Sequence, residues 1–225
     1  MFRPLHVAAC FALLSSLGAA QDKPTGQRFV SNEIIVKFSG TSKGAELAAN
    51  ALVEGNPSDA ALGGYVKAIS SELGVPLEVK RFGSGGNVIL AVRTSELVDD
   101  LAKRFRTIPD VEGARIVSEK GASISSIELD FRENSRETEV LARAAEKGPE
   151  SSAGVDAITG RLEQDYRVPL TARVVSSRRL LVTPDLQKLT MDLVTRMKKR
   201  ADIEYAQPNF VLHPTNAHSD INPRP

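Results

Sequence analysis

Asn32-Glu33-Ile34-Ile35-Val36-Lys37-Phe38 puts Ile34, Val36 and Phe38 on one side of a strand. Ser126-Ile127-Glu128-Leu129-Asp130-Phe131 repeats that pattern with Ile127, Leu129 and Phe131, a shift of 93 residues from Ile34 to Ile127. The same shift carries Val75-Pro76-Leu77 onto Val168-Pro169-Leu170, and Gly55 onto Gly148. One offset shared by separate landmarks marks a tandem duplication.

The segments between the landmarks agree. Leu62, Val66, Ile69 and Leu73 step along one helical face, matched by Val155, Thr159, Leu162 and Tyr166, with Ile158 widening the stripe. Each helix stops before its Val-Pro pair, because a residue preceding proline avoids helical geometry. Strands follow at 77–82 and 170–175, then turns at 83–86 and 176–177, then strands at 88–92 and 180–183. The next helices carry Leu97, Leu101 and Phe105, and Leu189, Leu193 and Met197, now at an offset of 92. Ser95 and Thr183 are the expected caps, with Pro184 at the first helical position. Final strands are expected at 112–117 and 203–206. Between the first strand and its helix, 45–54 and 137–147 read as an additional helix in each copy, ending at Gly55 and Gly148.

Each copy thus reads strand, helix, strand, strand, helix, strand, plus the extra helix. With right-handed crossovers this order predicts an α+β fold of tandem ferredoxin-like βαββαβ domains. Each would be an antiparallel four-stranded sheet with helices on one face and an extra helix after its first strand. The expected organisation is a signal peptide at 1–20, a disordered lead-in at 21–31, and repeat 1 at 32–118. A linker at 119–125, repeat 2 at 126–213 and an exposed C-terminal tail at 214–225 complete it. The first segment joins Arg3, an apolar run from Val7 to Leu17, and small residues Gly18-Ala19-Ala20, which together predict secretion. Cys10 is the only cysteine, so after removal of that segment no disulfide or thiolate chemistry remains.

Composition narrows the function. Among 225 residues the formal net charge is +1, with no Trp and three Tyr. Such a chain offers neither an electrostatic footprint nor a stacking platform for nucleic acid, and no basic surface for a membrane. A serine protease triad needs Ser, His and Asp brought together. Here the only histidines beyond the signal segment are His213 and His218, near the end. Ser39-Gly40-Thr41-Ser42 reads as a loop after a strand. Gly83-Ser84-Gly85-Gly86 joins two strands, which suits a hairpin turn better than a phosphate cradle. No catalytic residue, metal site or cofactor is expected.

Asp202-Ile203-Glu204-Tyr205-Ala206-Gln207-Pro208-Asn209-Phe210-Val211-Leu212-His213-Pro214 is the most specific stretch. Ile203 and Tyr205 are expected on one apolar face, and Pro208 bars pairing as a central strand. The run resembles the end of the propeptide of subtilisin-like serine proteases, where a strand of the type V-x-Y-A-E-P-N-Y leads to the protease active site. Tyr205, Ala206, Gln207, Pro208 and Asn209 carry that resemblance, with Gln207 where the family commonly has Glu. The loss of that charge would weaken an interaction with helix N-termini on the protease.

The resemblance implies a secreted, stand-alone inhibitor, with a folding-chaperone role also open, whose partner is a subtilisin-like serine protease. In that family the helix-free face of the sheet docks on the protease, and the C-terminal tail adds to the substrate cleft as a strand. Carried over by register, Leu212, His213, Pro214 and Thr215 would occupy the cleft. Thr215 would fill the primary specificity position and Leu212 an outer apolar pocket. Two other readings stay open: a prodomain relic acting in trans, and an extracellular tandem ferredoxin-like module for an unrelated ligand. The strand at 112–117 lacks the Tyr-Ala-Gln-Pro-Asn pattern, so repeat 1 is expected to be structural or accessory.

Overall fold

The computed structural model describes residues 28–118, 121–122, 124–147 and 152–211. The expected signal segment, Gly148 and the tail residues Leu212, His213, Pro214 and Thr215 lie outside them. The first half contains β1 (Phe29–Phe38), α1 (Lys43–Val53), α2 (Ala60–Leu73), β2 (Leu77–Phe82), β3 (Val88–Val92), α3 (Thr94–Phe105) and β4 (Val111–Val117). The second half repeats this as β5 (Ser126–Phe131), α4 (Arg136–Lys147), α5 (Ser152–Tyr166), β6 (Leu170–Ser176), β7 (Arg179–Pro184), α6 (Leu186–Met197) and β8 (Ile203–Phe210). The architecture is α+β, with two antiparallel four-stranded sheets packed with helices, consistent with tandem ferredoxin-like folds.

Local chemistry explains most element ends. Ser42 and Asp59 cap α1 and α2 by accepting from the N–H groups of Ala45 at 3.2 Å and Leu62 at 2.7 Å. Gly74 ends α2 at φ +69°, a left-handed conformation open to glycine at little cost. Two expected caps are displaced. The helix after β3 begins beyond Arg93, not Ser95, and no side chain caps it. The helix after β7 is capped by Asp185, whose carboxylate accepts from the Lys188 N–H at 3.0 Å. Thr183 and Pro184 remain in β7, because the Thr183 hydroxyl pairs with Ser126 at 2.6 Å inside the sheet.

The partition of strands between the sheets departs from a simple tandem. The first sheet runs β2-β3-β1-β8 and the second β4-β5-β7-β6. Each sheet is therefore closed by the last strand of the other repeat. The helices travel with their strands: α6 packs on β1 and β8, and α3 packs on β4 and β5. The unit following the third strand, helix plus strand, is exchanged in both directions. A single residue, Arg93, separates β3 from α3, and Asp185 alone separates β7 from α6. Their N–H groups are tied at 3.0 and 2.9 Å to the Pro76 and Pro169 carbonyls at the starts of the neighbouring strands.

β8 also differs from its expected pattern. Phe38 faces Ile203 and Lys37 faces Tyr205, so Glu204 is an extra residue in a bulge. The bulge moves Tyr205 off the core face. Ile203, Ala206 and Pro208 point to the helices, where they are buried, while Tyr205, Gln207 and Asn209 share the other face. β8 is an edge strand, which accommodates Pro208, and it continues to Phe210. β1 correspondingly begins at Phe29, earlier than the lead-in reading of 21–31. Phe29 pairs with Phe210, and their rings meet edge to face at 6.1 Å.

The core is apolar and continuous. Ile34, Val36, Val88 and Leu101 are sealed, as are their second-half equivalents Ile127, Leu129, Leu180 and Leu193. Gly44, the second residue of α1, marks a close approach. A Cβ there would lie 2.7 Å from the rings of both Phe38 and Tyr65. Gly44→Val should lower stability by about 1–3 kcal/mol through overpacking, read as a lower denaturant midpoint at unchanged slope.

Candidate docking strand and its open face

β8 is tied down at both ends. Near its start, Asp202 accepts from Arg200 Nε and Nη2, each at 3.0 Å, and from the Tyr65 hydroxyl; Arg200 also pairs with Glu72. Near its finish, Asn209 Nδ2 donates to Glu33 Oε2 at 2.6 Å. Glu33 lies on β1, is 3% exposed, and also takes Lys80 and, at 3.4 Å, Arg81 from β2. Between the two ties, the Tyr205 hydroxyl donates to Asn87 Oδ1 at 2.6 Å, and Lys37 bridges to Glu204 at 2.8 Å.

The electrostatics follow from these contacts. Burial pushes the Glu33 carboxyl up, but the hydrogen bonds from Lys80 and Asn209 and the charges of Lys80 and Arg81 outweigh it, leaving it below its ordinary range. Asp202 behaves alike: burial raises it, and Arg200 and Tyr65 bring it net down. Both groups are depressed in the folded state, so both contribute stability above the unfolded carboxylate range and lose it as pH falls through their folded values. The described residues contain no histidine. Stability should therefore be nearly level from about pH 5 to 8 and drop below about pH 4, as thermal unfolding across a pH series would report. Glu33→Gln should flatten part of that acid slope.

Of the five residues expected to form the docking strand, three face away from the helices. Gln207 is exposed, while Tyr205 and Asn209 are half-buried and held by Asn87 and Glu33. Ala206 and Pro208 serve the core instead. Ile35 and Lys37 of β1 and the buried Ile89 and Ala91 of β3 continue the same face. Beyond it, the Val211 N–H donates to the Arg28 carbonyl at 2.9 Å, and Phe210 and Val211 are 37% and 45% exposed. The chain beyond the expected last strand at 203–206 is thus paired with the N-terminal strand as far as Val211. The sequence reading missed Glu33, Tyr65, Glu72, Asn87 and Arg200. They come from the other repeat or from a neighbouring turn, and only Glu33, polar at an outward strand position, carried any local signal.

The equivalent face of the second sheet is built differently. Arg115 of β4 donates to Glu128 at 2.7 Å and Arg179 reaches the same carboxylate at 3.3 Å, while Arg178 pairs with Glu112. These charges lie across β4, β5, the β6–β7 turn and β7, with Glu128 buried at 8% exposure beneath Arg115 and Arg179. A cleft of about 740 Å³ between the end of α2 and the start of α3 is lined by Lys67, Ser71, Arg93, Glu96, Asp100 and Lys103, among others. Charged side chains from both helices interrupt its lining, unlike the predominantly apolar pocket expected of a small-ligand module.

Among the described residues, no group of three or more His, Cys, Asp or Glu is placed to hold a metal, and no helix is long and apolar enough to cross a membrane. Fold and site together define an α+β protein of two interlocked four-stranded sheets with an edge strand leading toward the C-terminus. No family model, curated protein or solved structure matches the chain.

Proposed function

We propose that this protein is a secreted inhibitor of subtilisin-like serine proteases. It docks by the helix-free face of the first sheet and delivers Leu212, His213, Pro214 and Thr215 to the substrate cleft. The observation that carries this reading is the position of the Tyr205–Asn209 motif. It lies on an outer edge strand, its Tyr, Gln and Asn all face away from the helices, and the chain runs on from that strand toward its end. The docking body is composite: β8 comes from repeat 2, and its bed of β1, β3 and β2 comes from repeat 1. Repeat 1 therefore supplies most of the surface that would meet a protease.

Inhibition on this reading needs no catalytic group. A tail held by a folded body dissociates slowly, because body and tail must leave together. The test is titration of the full chain into a subtilisin-type enzyme. The expected result is stoichiometric loss of peptidase activity at about micromolar concentration. Unchanged activity over that range would remove the proposal.

A further inference from the structure

The backbone of each sheet would accept either closing strand. In the first sheet Ile34 faces Pro208, Ile35 faces Gln207, Val36 faces Ala206, and a bulge at Glu204 precedes the pairing of Phe38 with Ile203. In the second, Ile127 faces Ile116, Glu128 faces Arg115, Leu129 faces Ala114, and a bulge at Glu112 precedes the pairing of Phe131 with Val111. The two registers are the same, down to the extra glutamate. Main-chain pairing thus gives no preference between the exchanged chain and one in which each repeat closes its own sheet.

Side chains do give a preference. In a self-closed first sheet, the duplicated sequence would put Val117 where Asn209 now bonds buried Glu33, and Ile108 where Arg200 pairs with Glu72. It would put Val98 in place of Thr190, whose hydroxyl donates to the Ser31 carbonyl at 2.6 Å, and Gly113 in place of Tyr205, which holds Asn87. In a self-closed second sheet, Gln207 would replace Arg115 against Glu128, and Met197 would replace Phe105 against the Tyr166 ring. Each replacement removes a hydrogen bond, a charge pair or a ring contact that the exchanged form has.

We infer that the two halves of this chain are specific partners for one another, so that the protein stays assembled when the β4–β5 connection is cut. Each half contributes a helix and an edge strand to the other's sheet, so separation means unfolding both sheets. Interfaces of this obligate, core-like kind hold without a covalent link. A protein exposed to proteases would then survive a nick at its linker with its edge strand β8 in place. The inference does not depend on the inhibitor proposal.

The experiment uses the full chain with a site-specific protease sequence inserted between Ser118 and Ser125. After cutting, native mass spectrometry and gel filtration at about 1 μM should give one particle containing one copy of each half, at the size of the uncut protein. Cut protein unfolded in urea and diluted should re-form the mixed pair in excess over pairs of like halves. Two folded half-size species after cutting would overturn the inference. So would a statistical mixture of like and unlike pairs after refolding, since selection would then be absent. If refolding yields no soluble protein, the cut but never unfolded sample decides by the first criterion alone.

Discussion

Phe105→Ala is expected to lower stability by about 3–5 kcal/mol, a large fraction of what keeps a typical domain folded. Phe105 is fully buried and stands edge-on to Tyr166, ring centres 4.9 Å apart, with Arg104 above the same tyrosine ring at 4.7 Å. Truncation removes an aromatic ring from a closed core and leaves a cavity that the surrounding strands cannot fill. A chain of this size should lose about 10 °C or more in its unfolding midpoint by calorimetry. The substitution also reports on topology. Phe105 belongs to the first repeat and Tyr166 to the second, so a double-mutant cycle between them should show coupling of about 0.5–1.5 kcal/mol. In a self-closed chain Phe105 would pack near Leu73, the counterpart of Tyr166. Coupling to Leu73 instead of Tyr166 would contradict the exchanged arrangement.

Ending the chain after Val211 is expected to leave the fold intact and weaken protease inhibition by about 100-fold or more. No described hydrogen bond extends beyond the Val211 N–H, and the ties of β8 at Asp202, Tyr205 and Asn209 all precede it. Thermal unfolding of the shortened chain should therefore match that of the full chain. Cleft residues act as the anchors of such an interface, and removing a few anchors typically abolishes most of the affinity. The residual binding would report the contribution of the open face alone. Equal inhibition by both chains would exclude Leu212 to Thr215 from the cleft while leaving docking by the face open. Thr215→Asp in the full chain offers a finer reading: specificity at the primary position predicts a changed preference among proteases with different pockets.

Much of the secondary structure was legible because it depends on short-range chemistry. Alternation at Ile34, Val36 and Phe38, the helical stripe from Leu62 to Leu73, and the Val-Pro helix stops each act within a few residues. The duplication was legible because one offset ran through all of them. Errors arose where a tertiary contact overrode local preference. Ser95 is a good cap in isolation, but the sheet ends one residue before the helix and Arg93 takes the boundary. Ile203 and Tyr205 alternate correctly for a flat strand, yet the bulge at Glu204 turns Tyr205 to the opposite face. Phe29 read as lead-in and Phe210 fell past the expected end of the last strand at 206, because neither has a local partner; each finds one in the other.

What the sequence determined by itself was the inventory: two copies of a strand-and-helix unit, their order, and the motif at Tyr205 to Asn209. What only the tertiary structure decided was the pairing between copies. Duplicated strands present the same main-chain register to either sheet, so local sequence cannot choose between them. The choice falls to side chains such as Asn209 with Glu33, Arg200 with Glu72 and Phe105 with Tyr166, which are far apart in the chain and meet only once the sheets are formed.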